Sequence, residues 1–179
     1  MPSDDYESRI ASCLSTLGIP HELIRDRSLP LHAEAVELEI VAVGIDGREH
    51  RLMPAAACPW RDLQMAAASA DVSLTVVSAY RSIERQAEII RGKIAAGLPF
   101  DVIFCASAPP GYSEHHTGRA IDVTTPGVEP LHEAFEDTVA FAWLSENAGK
   151  FCFSRSYPRN NQYGFMYEPW HWCYGRPEV

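Results

Sequence analysis

The chain has 179 residues, 46% apolar and 22% charged, a composition that excludes intrinsic disorder and suffices for one domain with a buried core. Fifteen basic against twenty-four acidic side chains give a net charge of −9, which repels polyanions and excludes nucleic acid as an expected partner. No apolar run reaches membrane-span length, and the opening MPSDDYESRI is acidic where a secretory leader would be basic. A cytoplasmic protein with no membrane partner is therefore expected, with a periplasmic or phage-released setting as the alternative. The cysteines, Cys13, Cys58, Cys105, Cys152 and Cys173, are odd in number and form no C-x-x-C pair, which suits a reducing compartment. Cys105 and Cys152 lie in apolar stretches and read as buried.

Residues 4–17 carry Tyr6, Ile10, Cys13, Leu14 and Leu17 at helical spacing before Gly18 and Pro20, which predicts an amphipathic N-terminal helix. Alternation across residues 35–52, around GIDG, predicts a two-stranded hairpin. Residues 54–70 are alanine-rich with Trp60, Leu63 and Ala67 on one side, a helix pattern. VSLTVVSAY, ending at Tyr80, reads as a buried strand, and Ile83, Ala87, Ile90 and Ile94 predict a helix stopped at Gly97. Residues 98–117, with PFD and APPG, read as an irregular loop. RAIDVTT predicts a strand with Ile121 and Val123 on one face and Ala120, Asp122 and Thr124 on the other. Residues 129–147 read as one amphipathic helix, and KFCFSRSY and YGFMYEPWHWCYG as two strands joined through PRNNQ. Elements that do not alternate as βαβα predict an α+β fold with a mainly antiparallel central sheet flanked by helices. A single domain is expected, with a helical extension over 1–30 and a core over 35–174.

Three separated stretches carry polar groups that a core would reject. Arg81 emerges in SAYRSIERQ where a strand turns into a helix, SEHHTGRAID holds two adjacent histidines and an aspartate, and Glu168 and His171 interrupt the aromatic YEPWHW. Each has a purely structural alternative: an arginine tying down a strand end, histidines in a loop, or an exposed pair on an edge strand that Pro169 would suit. Asp122, among apolar neighbours, needs a partner. A single metal site accounts for all three, because catalytic zinc takes three imidazole or carboxylate ligands and a water, and a further carboxylate can accept that water's proton. The residues alone leave open which of His115 and His116 is a ligand.

SEHHTGRAID resembles the S-x-H-x-x-G-x-A-x-D pattern, and EPWH the E-x-W-H pattern, of the zinc D-alanyl-D-alanine carboxypeptidases and dipeptidases of bacterial cell-wall metabolism, whose wider fold includes lysostaphin-type endopeptidases and the hedgehog signalling domain. SAYRS followed by Gln86 matches a third family stretch. The resemblance implies that His115, Asp122 and His171 hold one zinc ion, that His116 falls on a variable position, that Glu168 is the general base, and that Arg81 reaches the scissile carbonyl oxygen. It also implies that Ser113 and Gln86 hold the substrate peptide or its terminal carboxylate, with Tyr80 and Trp170 in the substrate site. The implied activity is removal of a C-terminal D-alanine from a small peptidoglycan peptide, D,D- or L,D-specific, by a monomer. Rival readings are an endolysin-like wall endopeptidase, a non-catalytic zinc-stabilised binding module, and a serine hydrolase on Ser113, His115 and Asp122, which GYSEH disfavours because it is not G-x-S-x-G.

Local chemistry adds three expectations. Gly118 permits a sharp turn that returns His115 toward Asp122, and Ala120 leaves space on the Asp122 face. Glu168 and His171, three residues apart, would lie on opposite faces of a flat strand, so a bend is expected at Pro169. Cys173 shares the His171 face, where the family usually carries a basic residue; a thiolate ligand would close the site, and packing beside Cys152 is the preferred reading.

Overall fold

Apolar spacing in the first seventeen residues produces the helix α1 (Asp4–Thr16), whose Tyr6, Ile10 and Leu14 are buried. Gly18, at φ +65°, stops it: the Ile19 N–H bonds the Leu14 carbonyl and the Gly18 N–H that of Ser15, closing the last turn with a left-handed cap. The computed structural model describes residues 4–44 and 46–175, so Ile45 in the predicted GIDG turn lies outside the described residues. A short helix α2 (Glu22–Arg25) precedes the hairpin of β1 (Glu39–Val43) and β2 (Glu49–Leu52), which begins later than the sequence pattern suggests. Next come α3 (Pro54–Ser69), β3 (Thr75–Ser78), α4 (Ile83–Ala95), α5 (Phe100–Ala106), β4 (Ala120–Thr124), α6 (Val139–Asn147), β5 (Phe153–Arg155) and β6 (His171–Tyr174).

The last four strands form one antiparallel sheet in the order β3-β4-β6-β5, so the fold is α+β. One apolar cluster joins Trp60, Leu63 and Ala67 of α3 to Ile121, Val123 and Trp172 on the adjoining sheet face, and a second packs α1 against Ile83, Ala87 and Ile90 of α4 and Phe104 of α5. Among the described residues, no helix is long and apolar enough to cross a membrane.

Four expectations need correction. Residues 98–117 are not an irregular loop: they contain α5 and a 3₁₀ turn at Glu114–Thr117, because Ile103 and Phe104 find a buried face against α4. Residues 129–147 are not one helix: a 3₁₀ turn at Glu133–Asp137 ends at Thr138, whose hydroxyl accepts from Phe141 N–H and starts α6 afresh. The VSLTVVSAY strand shortens to β3 and lies at a sheet edge, so that Val76 enters the core while Thr75 is exposed and Val77 and Ser78 are half-buried. Cys105 and Cys152 are exposed despite apolar neighbours, Cys152 because it occupies the left-handed cap (φ +61°) after the 3₁₀ turn Ala148–Phe151.

Candidate active site

The sheet register assembles the site. Asp122 on β4 stands directly opposite His171 on β6 and Ser78 on β3, so one row of residues crosses three strands. Directly paired antiparallel residues bring their side chains within contact of one another. His115 comes from the 3₁₀ turn Glu114–Thr117, which Ser113 caps by accepting from His115 N–H. Gly118 reverses the chain at φ +65°, and its carbonyl accepts from Met53 N–H. A Cβ there would sit 2.9 Å from Met53 N, so both the φ and the space require glycine. His171 begins β6 directly after a tight turn in which its N–H bonds the Glu168 carbonyl, with Pro169 and Trp170 as the central residues. This is the bend expected at Pro169, and it puts Glu168 and His171 on the same side.

His115, Asp122 and His171 are all buried, and their ligand atoms lie within 4.8 Å of one another. His115 Nδ1 donates to the Ala79 carbonyl at 2.7 Å, which leaves Nε2 without a proton, 3.2 Å from Asp122 Oδ2. His171 Nδ1 is 2.9 Å from Asp122 Oδ1. Two imidazoles with their second nitrogens hydrogen-bonded and one carboxylate form a three-ligand donor set that suits a zinc ion with one position left open. Burial alone would raise the Asp122 carboxyl, but His115 and His171 outweigh it and hold that carboxyl below its usual range. Burial would lower His171, yet Asp122 and Glu114 raise it to about 10, whereas burial keeps His115 below its ordinary value.

These three residues line a cleft of about 510 Å³ together with Arg81, Glu168 and Ser113. Tyr80 and Trp170 line it too. Arg81 Nη2 lies 3.9 Å from Asp122 Oδ2 and donates to Ser78 Oγ at 3.0 Å, while Nη1 donates to Gln86 Oε1 at 2.7 Å. Glu168 Oε2 is 3.9 Å from His171 Nδ1, and burial pushes its carboxyl up to about 7.

Gln86 does not face the cleft. It is 0% exposed, and its amide is occupied at both ends, accepting from Arg81 and donating to the Ala108 carbonyl at 2.6 Å. The structure thus makes it a support for Arg81 rather than a surface for substrate. His116, also 0% exposed, turns away from the metal triangle. Its Nε2 accepts from Gly111 N–H and its Nδ1 donates to the Arg81 carbonyl at 2.6 Å, pinning the 109–113 loop to Arg81. Cys173 is buried opposite Ala120 and Ser154, outside the metal triangle, and exposed Cys152 is not its packing partner in the sheet.

Sequence reasoning missed Glu114. Its Oε2 lies 3.0 Å from His171 Nε2, and the residue is 7% exposed. Its place between Ser113 and His115 in the metal motif was the available signal; its partner, 57 residues away, was not visible from spacing.

An α+β fold with a buried His-Asp-His triangle, a nearby carboxylate and an arginine in one cleft has the constitution of a metallopeptidase. The chain belongs to the VanY family, described as D-alanyl-D-alanine carboxypeptidase, whose model matches residues 49–177. It is 33% identical over 124 residues to a D-alanyl-D-alanine carboxypeptidase of Enterococcus faecalis (strain ATCC 700802 / V583), covering 64% of this chain and 44% of that one. The LD-carboxypeptidase LdcB superposes with a TM-score of 0.70 at 33% identity, over 81% of this chain and 71% of that one. A mutant of the vancomycin-resistance D,D-pentapeptidase VanY from a VanB-type cassette, solved in complex with Zn(II), superposes with a TM-score of 0.64 at 30% identity, over 84% and 89%. The chain spans 38% and 44% of the length of two curated relatives it matches.

Proposed function

We propose that this chain is a zinc-dependent carboxypeptidase that removes a C-terminal D-alanine from peptidoglycan peptides, acting within the single core at 35–174. The observation that carries the reading is the convergence of the His115–Asp122–His171 triangle, Glu168 and Arg81 on one cleft. Zinc would be held by those three side chains and would supply Lewis acidity that makes water a nucleophile near neutral pH.

The remaining chemistry belongs to the chain. Glu168, poised near neutrality by burial, takes a proton from the attacking water and delivers it to the leaving amine of D-alanine as the peptide C–N bond breaks. Arg81, braced by Gln86 and Ser78, presents its guanidinium to the oxygen of the scissile carbonyl as negative charge develops there. Ser113, Tyr80 and Trp170 frame the peptide. Lys93 also lines the cleft, half-buried, with its ammonium bonded to Ser107 Oγ and no carboxylate within 4 Å of it among the described residues; it gives the cleft a cation for a substrate carboxylate. Glu168 and Arg81 favour a catalytic role over a binding module, because neither is needed to hold a structural zinc and both face the cleft.

The test is mass spectrometry of a mixture of muropeptide tetrapeptide and pentapeptide after incubation with zinc-loaded protein, beside a chelator-stripped control. Zinc-dependent loss of one terminal D-alanine is the expected result. Shortening of the pentapeptide marks D,D-specificity and of the tetrapeptide L,D-specificity, and no shortening with zinc still bound refutes the carboxypeptidase reading.

A further inference from the structure

The imidazole of His171 lies between two buried carboxylates. Asp122 Oδ1 approaches Nδ1 at 2.9 Å and Glu114 Oε2 approaches Nε2 at 3.0 Å, while Tyr157 packs on the ring with centroids 4.8 Å apart. Asp122 belongs to the cleft and to the metal triangle, but Glu114 lies outside both, behind the ring. An imidazole that ligates a metal is neutral and keeps one proton, so only one of the two carboxylates can then receive a hydrogen bond from the ring. If Nδ1 keeps it, the proton points at the position a metal must take. If Nε2 keeps it, Nδ1 offers a lone pair to the cleft.

We propose that Glu114 is a positioning residue: by accepting a hydrogen bond from His171 Nε2–H, it holds the ring in the form whose Nδ1 lone pair faces a metal shared with His115 and Asp122. This inference rests on the zinc-site reading above. Buried carboxylates behind a ligand histidine raise the basicity of that ligand and fix its orientation, and their loss typically weakens metal affinity about 10- to 100-fold. His115 obtains the same service from a backbone carbonyl, that of Ala79, so Glu114 supplies with a side chain what the fold does not supply at His171. The 3₁₀ turn makes this possible: Glu114 and His115 are consecutive, so one turn delivers a metal-facing imidazole and the carboxylate that orients its partner.

The experiment measures zinc dissociation constants by chelator competition for the parent, Glu114→Leu, Glu114→Gln and His115→Ala. It also records the ring-nitrogen NMR signals of zinc-loaded, ¹⁵N-histidine-labelled parent and variants. The expected result is a roughly 10- to 100-fold weaker affinity for Glu114→Leu and a smaller loss for Glu114→Gln, which retains a neutral acceptor. The parent spectrum is expected to show His171 with a protonated Nε2 and a metal-bound Nδ1, a pattern that a merely structural role for Glu114 would not require. Thermal unfolding of the metal-free proteins controls for folding, and should Glu114→Leu not fold, the loss must appear in Glu114→Gln. Parent zinc binding abolished by His115→Ala but unchanged within twofold in both folded Glu114 variants overturns this proposal alone. A parent that binds no zinc overturns the underlying metal-site reading with it.

Discussion

The central strand β4 presents two unlike faces within five residues. Ile121 and Val123 enter the apolar core under α3, while Asp122, equally buried, faces the cleft with His171 across the ladder. Burial therefore does not separate structural from functional residues here; the atoms each side chain meets do. The apolar face depends on volume and tolerates exchange of similar shapes, whereas the polar face depends on atom positions within a fraction of an ångström. A second contrast repeats the lesson in one dipeptide, where His115 points into the metal triangle and His116 into backbone polar groups.

The largest effects are expected on the polar face. His115→Ala removes one of three ligands, so zinc measured after dialysis and hydrolysis should both be lost. Glu168→Gln should keep zinc yet lower kcat about 10²- to 10⁴-fold, because it removes the proton carrier and not a ligand. On the apolar face, Ile121→Ala should lower unfolding stability in urea by about 2–5 kcal/mol. Its zinc affinity should stay near that of the parent, and a large loss of affinity at intact fold would erase the distinction between the faces.

His116→Ala sharpens the contrast further. Zinc affinity should be retained, while the unpaired Gly111 N–H and Arg81 carbonyl cost about 1–3 kcal/mol of stability and Arg81 loses its anchor, lowering kcat. Loss of zinc in this variant would reverse the assignment of the two histidines.

A further effect is a pH dependence. Burial pushes His116 down to about 4, against its ordinary 6.5. Between those values the unfolded chain binds the extra proton and the folded chain does not, so stability rises with pH through the window and is lost as pH falls from 6.5 toward 4. Chemical unfolding of metal-free parent and His116→Gln at several pH values should show the parent losing more stability on acidification. Parallel curves would contradict the buried, neutral state of His116.

Much of this was legible in the sequence. The face of α1, the glycine stop after it, the alternation of β4 and the bend at Pro169 follow from local chemistry, and the site motifs lie in stretches whose polarity is out of place. What was illegible depended on partners distant in the chain. α5 is seven residues long, too short for periodicity to distinguish it from a loop until α4 covers Ile103 and Phe104. The break at Thr138 was hidden because the apolar spacing continues through it while the hydroxyl caps a new helix. Gln86 resembled a substrate contact by motif, but its amide is consumed by Arg81 and Ala108, and nothing in the local sequence tied Glu114 to His171, which it reaches across the fold. Exposed Cys152 shows the converse: its apolar neighbours suggested burial, and a left-handed cap put it at the surface.

Anomalous diffraction at the zinc edge from crystals of the zinc-loaded protein tests the central claim most directly. The account predicts a single strong peak bounded by His115 Nε2, an Asp122 carboxylate oxygen and His171 Nδ1, with Glu168 beside it and not bound. A peak on His116 or Cys173, or none among these side chains at full zinc loading, would contradict it.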